Sequence, residues 1–507
     1  SPLFLETFTA LGANPTQMSW ADAVPALSSG AVDGQENPLT IFTVAKLHSA
    51  ANQKNLLLWG YVADPLIFVV NKDVWKSWKP EDQKAVREAA AQAASENIAA
   101  ALGLSGTLAI ALAQLGIMAV PTNVYAGIAK YPLLAIPMFV LAGAIFDKAG
   151  VAERLLRFTE AIVGRGRGAL AVITILVAMI IGGISGSGPA CTAAVGGVML
   201  SAMLRAGYAP GFAAAVTAAA GSTDILIPPS VAFIVYSVLV PSATVPALFV
   251  GGIIPGLLAC AMLIIPALFL SLHHNFGAGQ SNEPRPKFWA SFKDASWALA
   301  APVLILGGLR TGWFTPTEAA VMAVVFGLFV GFVVYRSLTL RALFGLLVES
   351  AETSAVILVV VGLASVFAWA CSTLGIVDPI SRGLVTLGGG SSLGVIFILM
   401  VFLVIVGMFL DGISIFLIFC PLFVPVAQSF DWDLVWFGVL MTYNVALGQF
   451  TPPMAVNLMV SCRLSGAKME DTVRWDIWML LFMFLGLVLM IFFPGIVLWL
   501  PQATGFM

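Results

Sequence analysis

Charge is scarce in this chain. Asp, Glu, Lys and Arg together make up only 10% of its 507 residues, against 60% hydrophobic. The formal net charge is −2 and there is no basic tail, which argues against a nucleic-acid partner. Histidine is almost missing: His48 lies in a polar N-terminal region, and His273-His274 in a polar loop. The five cysteines, Cys191, Cys260, Cys371, Cys420 and Cys462, fall in apolar stretches without CxxC spacing. They are expected to be small buried packing residues, not metal or redox centres. No Gly-Lys-Ser/Thr phosphate loop occurs, so ATP-driven transport by this chain is not expected. No nucleophile–base pair or metal-ligand set points to an enzyme. The mean hydropathy of +0.98 instead places the chain among polytopic membrane proteins.

What is present divides into two unlike pieces. Residues 1–97 hold 7 of the 24 Lys and Arg, a polar helix opening at Lys79-Pro80-Glu81-Asp82, and a short strand candidate at Leu66–Val70. This reads as a small α/β fragment too short to be an evident stand-alone domain. The chain starts at Ser1 and shows no signal peptide, so a truncated N-terminus is expected. From Ile98 onward apolar spans follow one another, the first being Ile98–Val120 and the last Trp475–Leu500. Two of them, Ala169–Leu204 and Leu393–Val426, are too long for one crossing. Each carries Gly or Ser midway, at Gly182–Pro189 and Gly407–Gly412, as expected for tips of re-entrant hairpins.

About forty residues after each tip comes a Pro-Pro break, Ile227-Pro228-Pro229-Ser230 and Thr451-Pro452-Pro453-Met454. In lipid, backbone groups freed by such breaks are tolerated where they line a cavity or bind something. With hairpins that return to the side they entered, 14 Lys and Arg fall on one side of the membrane and 3 on the other. That positive-inside bias puts the two hairpins on opposite faces, an inverted repeat. The expected fold is an all-α polytopic membrane protein with two re-entrant hairpins and two broken helices. Its repeats span 98–272 and 297–507, joined by a cytoplasmic linker at 273–296.

The oxygen-bearing residues gather at these breaks. Ser185, Ser187, Thr192, Ser222, Thr223 and Asp224 surround the first, and Asp411, Ser414, Asn444, Thr451 and Asn457 the second. Oxygen ligands suit a hard cation such as Na⁺, and half-helix N-termini suit an anionic substrate. Ser, Thr and Gly also serve close helix packing, and Asp411 could serve as a helix cap. Carboxylates at membrane depth, here Asp224 and Asp411, are by default functional.

Residues 98–507 resemble the large membrane subunit of TRAP transporters, the tripartite ATP-independent periplasmic carriers of DctM type. The resemblance rests on Pro132-Leu-Leu-Ala-Ile-Pro137, Gly183-Ile-Ser-Gly-Ser187, Ile227-Pro-Pro-Ser230, Gly407-Met-Phe-Leu-Asp411 and Thr451-Pro-Pro453. It implies a Na⁺-driven elevator importing small organic anions across the bacterial inner membrane. A small four-helix membrane subunit and a periplasmic substrate-binding protein are its implied partners, with no organic cofactor. Carried over by motif, one Na⁺ site would use Ser185, Ser187, Asp224, Ile227 and Pro229. A second would use Gly407, Gly448, Thr451 and Met454. Relatives commonly have Gly at the position of Asp224, so this chain departs from the pattern there. Residues 1–97 resemble the C-terminal part of a DctP-like binding protein, through Gly30-Ala-Val-Asp-Gly-Gln-Glu-Asn37-Pro38 and related stretches. That resemblance makes Asn37 a carboxylate-binding candidate. The substrate-clamping Arg of that family would precede Ser1, so ligand binding by 1–97 is not expected. An in-frame fusion that lost the first carrier helix is the expected origin of the junction. Two other readings stay open at this point: a stand-alone Na⁺/dicarboxylate symporter, and a transport-inactive chimeric scaffold or receptor.

Overall fold

The computed structural model describes residues 101–278, 285–453 and 455–507, with Ser185 described through its backbone only. The α/β reading of 1–97, with Asn37, and the placement of Met454 lie outside the described residues. Those described form helices and turns, with no strand among them.

The helices run α1 (Ala101–Leu112), α2 (Ala119–Ile128), α3 (Ala135–Lys148), α4 (Val151–Val163), α5 (Ala169–Ser185) and α6 (Gly188–Arg205). After them come α7 (Pro210–Ser222), α8 (Val231–Leu239), α9 (Val245–His273), α10 (Phe288–Thr311), α11 (Pro316–Phe329) and α12 (Leu340–Thr373). The remainder are α13 (Val377–Leu387), α14 (Ser392–Gly407), α15 (Gly412–Ser429), α16 (Leu434–Gly448), α17 (Val456–Ser465), α18 (Met469–Phe492) and α19 (Gly495–Thr504). Among the described residues, seven helices are long and apolar enough to cross a membrane, or up to nine if each bent pair counts as one span.

Local chemistry starts many of these helices. Thr244, Thr339, Ser391, Asp411 and Asp433 each accept a hydrogen bond from a first-turn N–H. Thr315 and Glu318 form a reciprocal capping box, with Pro316 at the first helical position. The order hairpin, broken helix, long helix occurs twice: α5–α6, α7–α8, α9, and then α14–α15, α16–α17, α18. The two central helices are hydrophobic all round. In α7 every residue from Gly211 to Ser222 is buried, and in α16 every residue from Val435 to Gly448. The two hairpins pack against them, and α3 packs on α11 and α2 on α12 outside.

Three readings change. Within the first expected span, 98–120, α1 stops at Leu112 and α2 starts only at Ala119, because Gln114 (φ 54°) and Gly116 (φ 86°) take left-handed conformations that end α1. Helix α10 begins at Phe288, inside the stretch taken for a linker, because Phe288 and Phe292 both pack against Phe158 of α4. Helices α4 and α13 were not among the expected spans. Both are amphipathic, with Glu153, Arg154 and Arg157 on α4, and too polar to register as apolar runs.

Helix α4 joins α3 to the first hairpin and is held by one side chain in particular. The Arg154 guanidinium lies 3.7 Å from the centre of the Tyr335 ring and 3.4 Å from Asp294, and it donates to the carbonyls of Ala149 and Gly150. Tyr335 in turn donates to the Asp294 carbonyl at 2.8 Å. Arg154→Ala is therefore expected to lower the thermal midpoint by about 2–5 °C. Arg157→Ala, whose side chain is 63% exposed, is expected to leave it within about 1 °C. A melting curve of the purified protein compares the two.

Candidate substrate and ion site

The first hairpin turns at Gly186, in the left-handed conformation (φ 65°), followed by extended Ser187. Its tip lies against the first break. A Cβ on Gly186 would stand 2.8 Å from the Pro229 carbonyl oxygen. One on Gly182 would stand 2.7 Å from Asp224 Oδ1 and 2.9 Å from Asp224 Cα. Asp224 is fully buried in the 3₁₀ turn Thr223–Leu226. The bare Gly182 makes room for this carboxylate, which explains how the chain accommodates it.

The second half repeats the arrangement. Gly448, at the end of α16, meets Gly407, at the end of α14, backbone to backbone: a Cβ on Gly448 would lie 2.6 Å from Gly407 Cα and 2.8 Å from its oxygen. Both Pro-Pro peptides are cis.

Freed carbonyls at the two breaks find similar partners. The first proline of each pair deprives the carbonyl four residues earlier of its helical donor. In both breaks a 3₁₀-like bond replaces it: Ile227 N–H donates to Asp224 O (3.2 Å), and Thr451 N–H to Gly448 O (3.1 Å). The carbonyls lost to the second prolines are also covered. Ser230 Oγ donates to Ile225 O at 2.6 Å, and Asn457 N–H to Gln449 O at 3.1 Å. Thr451 Oγ1 donates to Leu447 O at 2.6 Å. The breaks thus hold fewer bare carbonyls than the prolines alone imply, although each bonded oxygen keeps a second lone pair.

The halves also cross. A Cβ on Gly188, just past the first tip, would run into the Gln449 amide oxygen and lie 3.1 Å from Asn457 Nδ2, both in the second half. Asn457 Nδ2 donates to Gln449 Oε1 at 3.3 Å, while Asn457 Oδ1 is buried without a hydrogen-bond partner among the described residues. Asp411 caps α15, accepting from the N–H groups of Ile413 (3.0 Å) and Ser414 (3.2 Å) and from the Ser414 hydroxyl. Its expected alternative role as a cap is therefore the one its oxygens perform. Asn444 faces α14 instead, donating to Met400 O at 2.8 Å.

Between these pieces lies a cavity of about 790 Å³, lined by Ser187, Gly188, Asp411, Gly412, Gln449 and Val456, with Lys148 and Glu349 on the α3 and α12 wall. Three helix N-termini reach it, those of α6, α15 and α17. Helix α15 is closed by Asp411, whereas α6 and α17 carry no side-chain cap. Pro189 lacks an N–H and that of Asn457 goes to Gln449 O, but the other first-turn N–H groups and the positive ends of the two dipoles suit an anion. Among the described residues no group of three His, Cys, Asp or Glu could hold a metal ion. Gln449, Lys148 and Glu349 were missed as site residues. Gln449 stood inside the Gly448-Gln-Phe-Thr451 motif but offered only a neutral amide as a signal. Outside the cavity, Lys130 Nζ donates to Val238 O at 2.7 Å, and burial pulls its ammonium below the ordinary lysine value.

Comparison with known proteins adds the following. Residues 89–496 match the family described as tripartite ATP-independent periplasmic transporter, DctM component, and residues 1–112 match bacterial extracellular solute-binding protein, family 7. The chain is 34% identical over 405 residues to the C4-dicarboxylate TRAP transporter large permease protein DctM of Pseudomonas aeruginosa, covering 80% of this chain and 94% of that protein. It is 34% identical over 376 residues to the sialic acid TRAP transporter large permease protein SiaM of Vibrio cholerae, covering 74% and 87%. Among solved structures, the YdaH transporter of Alcanivorax borkumensis aligns with a TM-score of 0.52 at 14% identity, covering 73% of this chain and 87% of that one, a likeness of fold alone.

Proposed function

Since the chain belongs to the DctM family of TRAP transporters, a multi-pass membrane permease subunit, we propose that it carries small organic anions inward, coupled to Na⁺, by an elevator movement. The observation that carries this reading is the convergence of three helix N-termini on one cavity between the hairpin tips and the second break. The uncapped N-termini of α6 and α17 would hold the carboxylate of the substrate. The capped α15, with Asp411 at its entrance, would leave the cavity one negative charge beside a cation.

The two glycine contacts, Gly186 on Pro229 and Gly407 on Gly448, bring hairpin backbone against each break. One Na⁺ would sit between Ser185, Ser187 and the carbonyls of Asp224, Ile227 and Pro229. A second would sit among Gly407, Gly448, Thr451 and Met454. Hairpins and broken helices would move together, since α7 packs on both α5 and α17, and α6 packs on α17. The outer pairs α3–α11 and α2–α12 would stay with the small membrane subunit. A substrate-binding protein would deliver the anion, and residues 1–97 would be a segment of binding-protein descent.

The test is uptake of a labelled panel of C4-dicarboxylates, sugar acids and sialic acid into proteoliposomes. These would contain this chain, the small membrane subunit and an intact binding protein. At least one anion is expected to accumulate only under an inward Na⁺ gradient, with uptake falling about tenfold or more when Na⁺ is replaced by K⁺. Uptake indifferent to Na⁺ would overturn the coupling, and uptake equal without the binding protein would favour a stand-alone symporter.

A further inference from the structure

We propose that the edge where α4 meets the start of α10 binds the headgroup of an anionic glycerophospholipid. Two observations meet there. The first is charge: residues 151–168 and 285–297 carry seven Lys and Arg against three Asp and Glu, a net +4 in a chain whose total is −2. Arg154 and Arg165 are engaged, the former with Asp294 and the latter 3.7 Å from Glu160. Arg167, Arg285, Lys287 and Lys293 are all exposed, and none forms an ion pair with a carboxylate among the described residues.

The second is an aromatic cluster at the same edge. Phe158 packs against Phe288 and Phe292 at centroid distances of 6.0 and 5.7 Å, and Trp289 packs edge-on to both phenylalanines of α10. Trp289 is nevertheless 76% exposed, and on α4 Ile162, one turn after Phe158, is 53% exposed. Lys293 stands one helical turn after Trp289, on the same side of α10. Arg285 lies across the end of α4, its guanidinium against Gly164. An exposed ring preceded in the chain by Arg285 and Lys287 and followed by Lys293 suits the membrane–water boundary: the ring takes the acyl–glycerol region, and the cations take the phosphate.

Helix α4 joins α3 to the first hairpin, so a lipid bound here would tie that connection to the bilayer surface.

Tryptophan quenching by brominated lipids tests this on the full chain in nanodiscs. The contribution of Trp289 is read as the difference between the wild-type protein and Trp289→Phe. Brominated phosphatidylglycerol is expected to quench it at a mole fraction about tenfold lower than brominated phosphatidylcholine. The triple variant Arg285→Gln, Lys287→Gln, Lys293→Gln is expected to erase that preference, and Arg310→Gln, in the last turn of α10, to leave it intact. Equal quenching by the two lipids, a preference that survives the triple variant, or displacement by millimolar inorganic phosphate would each overturn the proposal.

Discussion

Gly448→Ala is expected to cut Na⁺-driven uptake by about tenfold or more in a protein that still inserts and assembles. The methyl group would fall 2.6–2.8 Å from the Cα, carbonyl carbon and oxygen of Gly407. Those are backbone atoms, with no rotamer to swing aside, so α14 and α16 must separate. Overpacking of this kind costs about 1–3 kcal/mol in a well-packed core. Here the displacement falls on the place where the second Na⁺ is proposed to bind. Gly197→Ala is the matched control: it lies in α6, with nothing within 4 Å of an added Cβ, and a helical Ala is favoured over Gly by roughly 1 kcal/mol. Uptake by Gly448→Ala within twofold of Gly197→Ala would show that the Gly407–Gly448 approach is dispensable.

The hairpin tips and the breaks were legible in the sequence because Gly and Pro act through the backbone, and backbone rules are local. Gly186 and Pro228 announce a left-handed residue and a lost N–H wherever they occur. Asp411 was legible as a possible cap for the same reason, since it precedes α15 and its partners are its own neighbours. What stayed hidden depends on distant parts of the chain meeting. Gln449 gains its place only because Gly188 comes alongside it, and no neighbour in the sequence hints at that. The local repair of the freed carbonyls was hidden too, because whether Ser230 reaches Ile225 or Asn457 reaches Gln449 depends on the path after each Pro-Pro step. Helices α4 and α13 were lost for another reason. A search for unbroken apolar runs passes over short amphipathic helices that lie between them.

Thr451→Val is expected to raise the Na⁺ concentration for half-maximal uptake about tenfold. Thr451 N–H is diverted to Gly448 O, and its hydroxyl fills the gap by donating to Leu447 O at 2.6 Å. Valine keeps the volume but leaves Leu447 O bare in a buried place, at a cost of about 1–3 kcal/mol. It also removes an oxygen proposed to face Na⁺. Ser365→Ala provides the comparison, since Ser365 Oγ donates to Val361 O within its own helix, one turn back. That substitution is expected to change the Na⁺ dependence less than twofold. Equal shifts in the two variants, measured as uptake against Na⁺ concentration, would remove Thr451 from the ion site.

The crossing at Gly188, Gln449 and Asn457 also governs how this protein can change over generations. Positions 188 and 449 come from opposite halves of the chain yet compete for one small volume. A side chain gained at 188 must push the Gln449 amide aside or be matched by a shorter residue at 449, so the two positions are not free to change independently. A transplant of one half from a relative with different residues here would carry a mismatch at its centre, however well each half folded by itself.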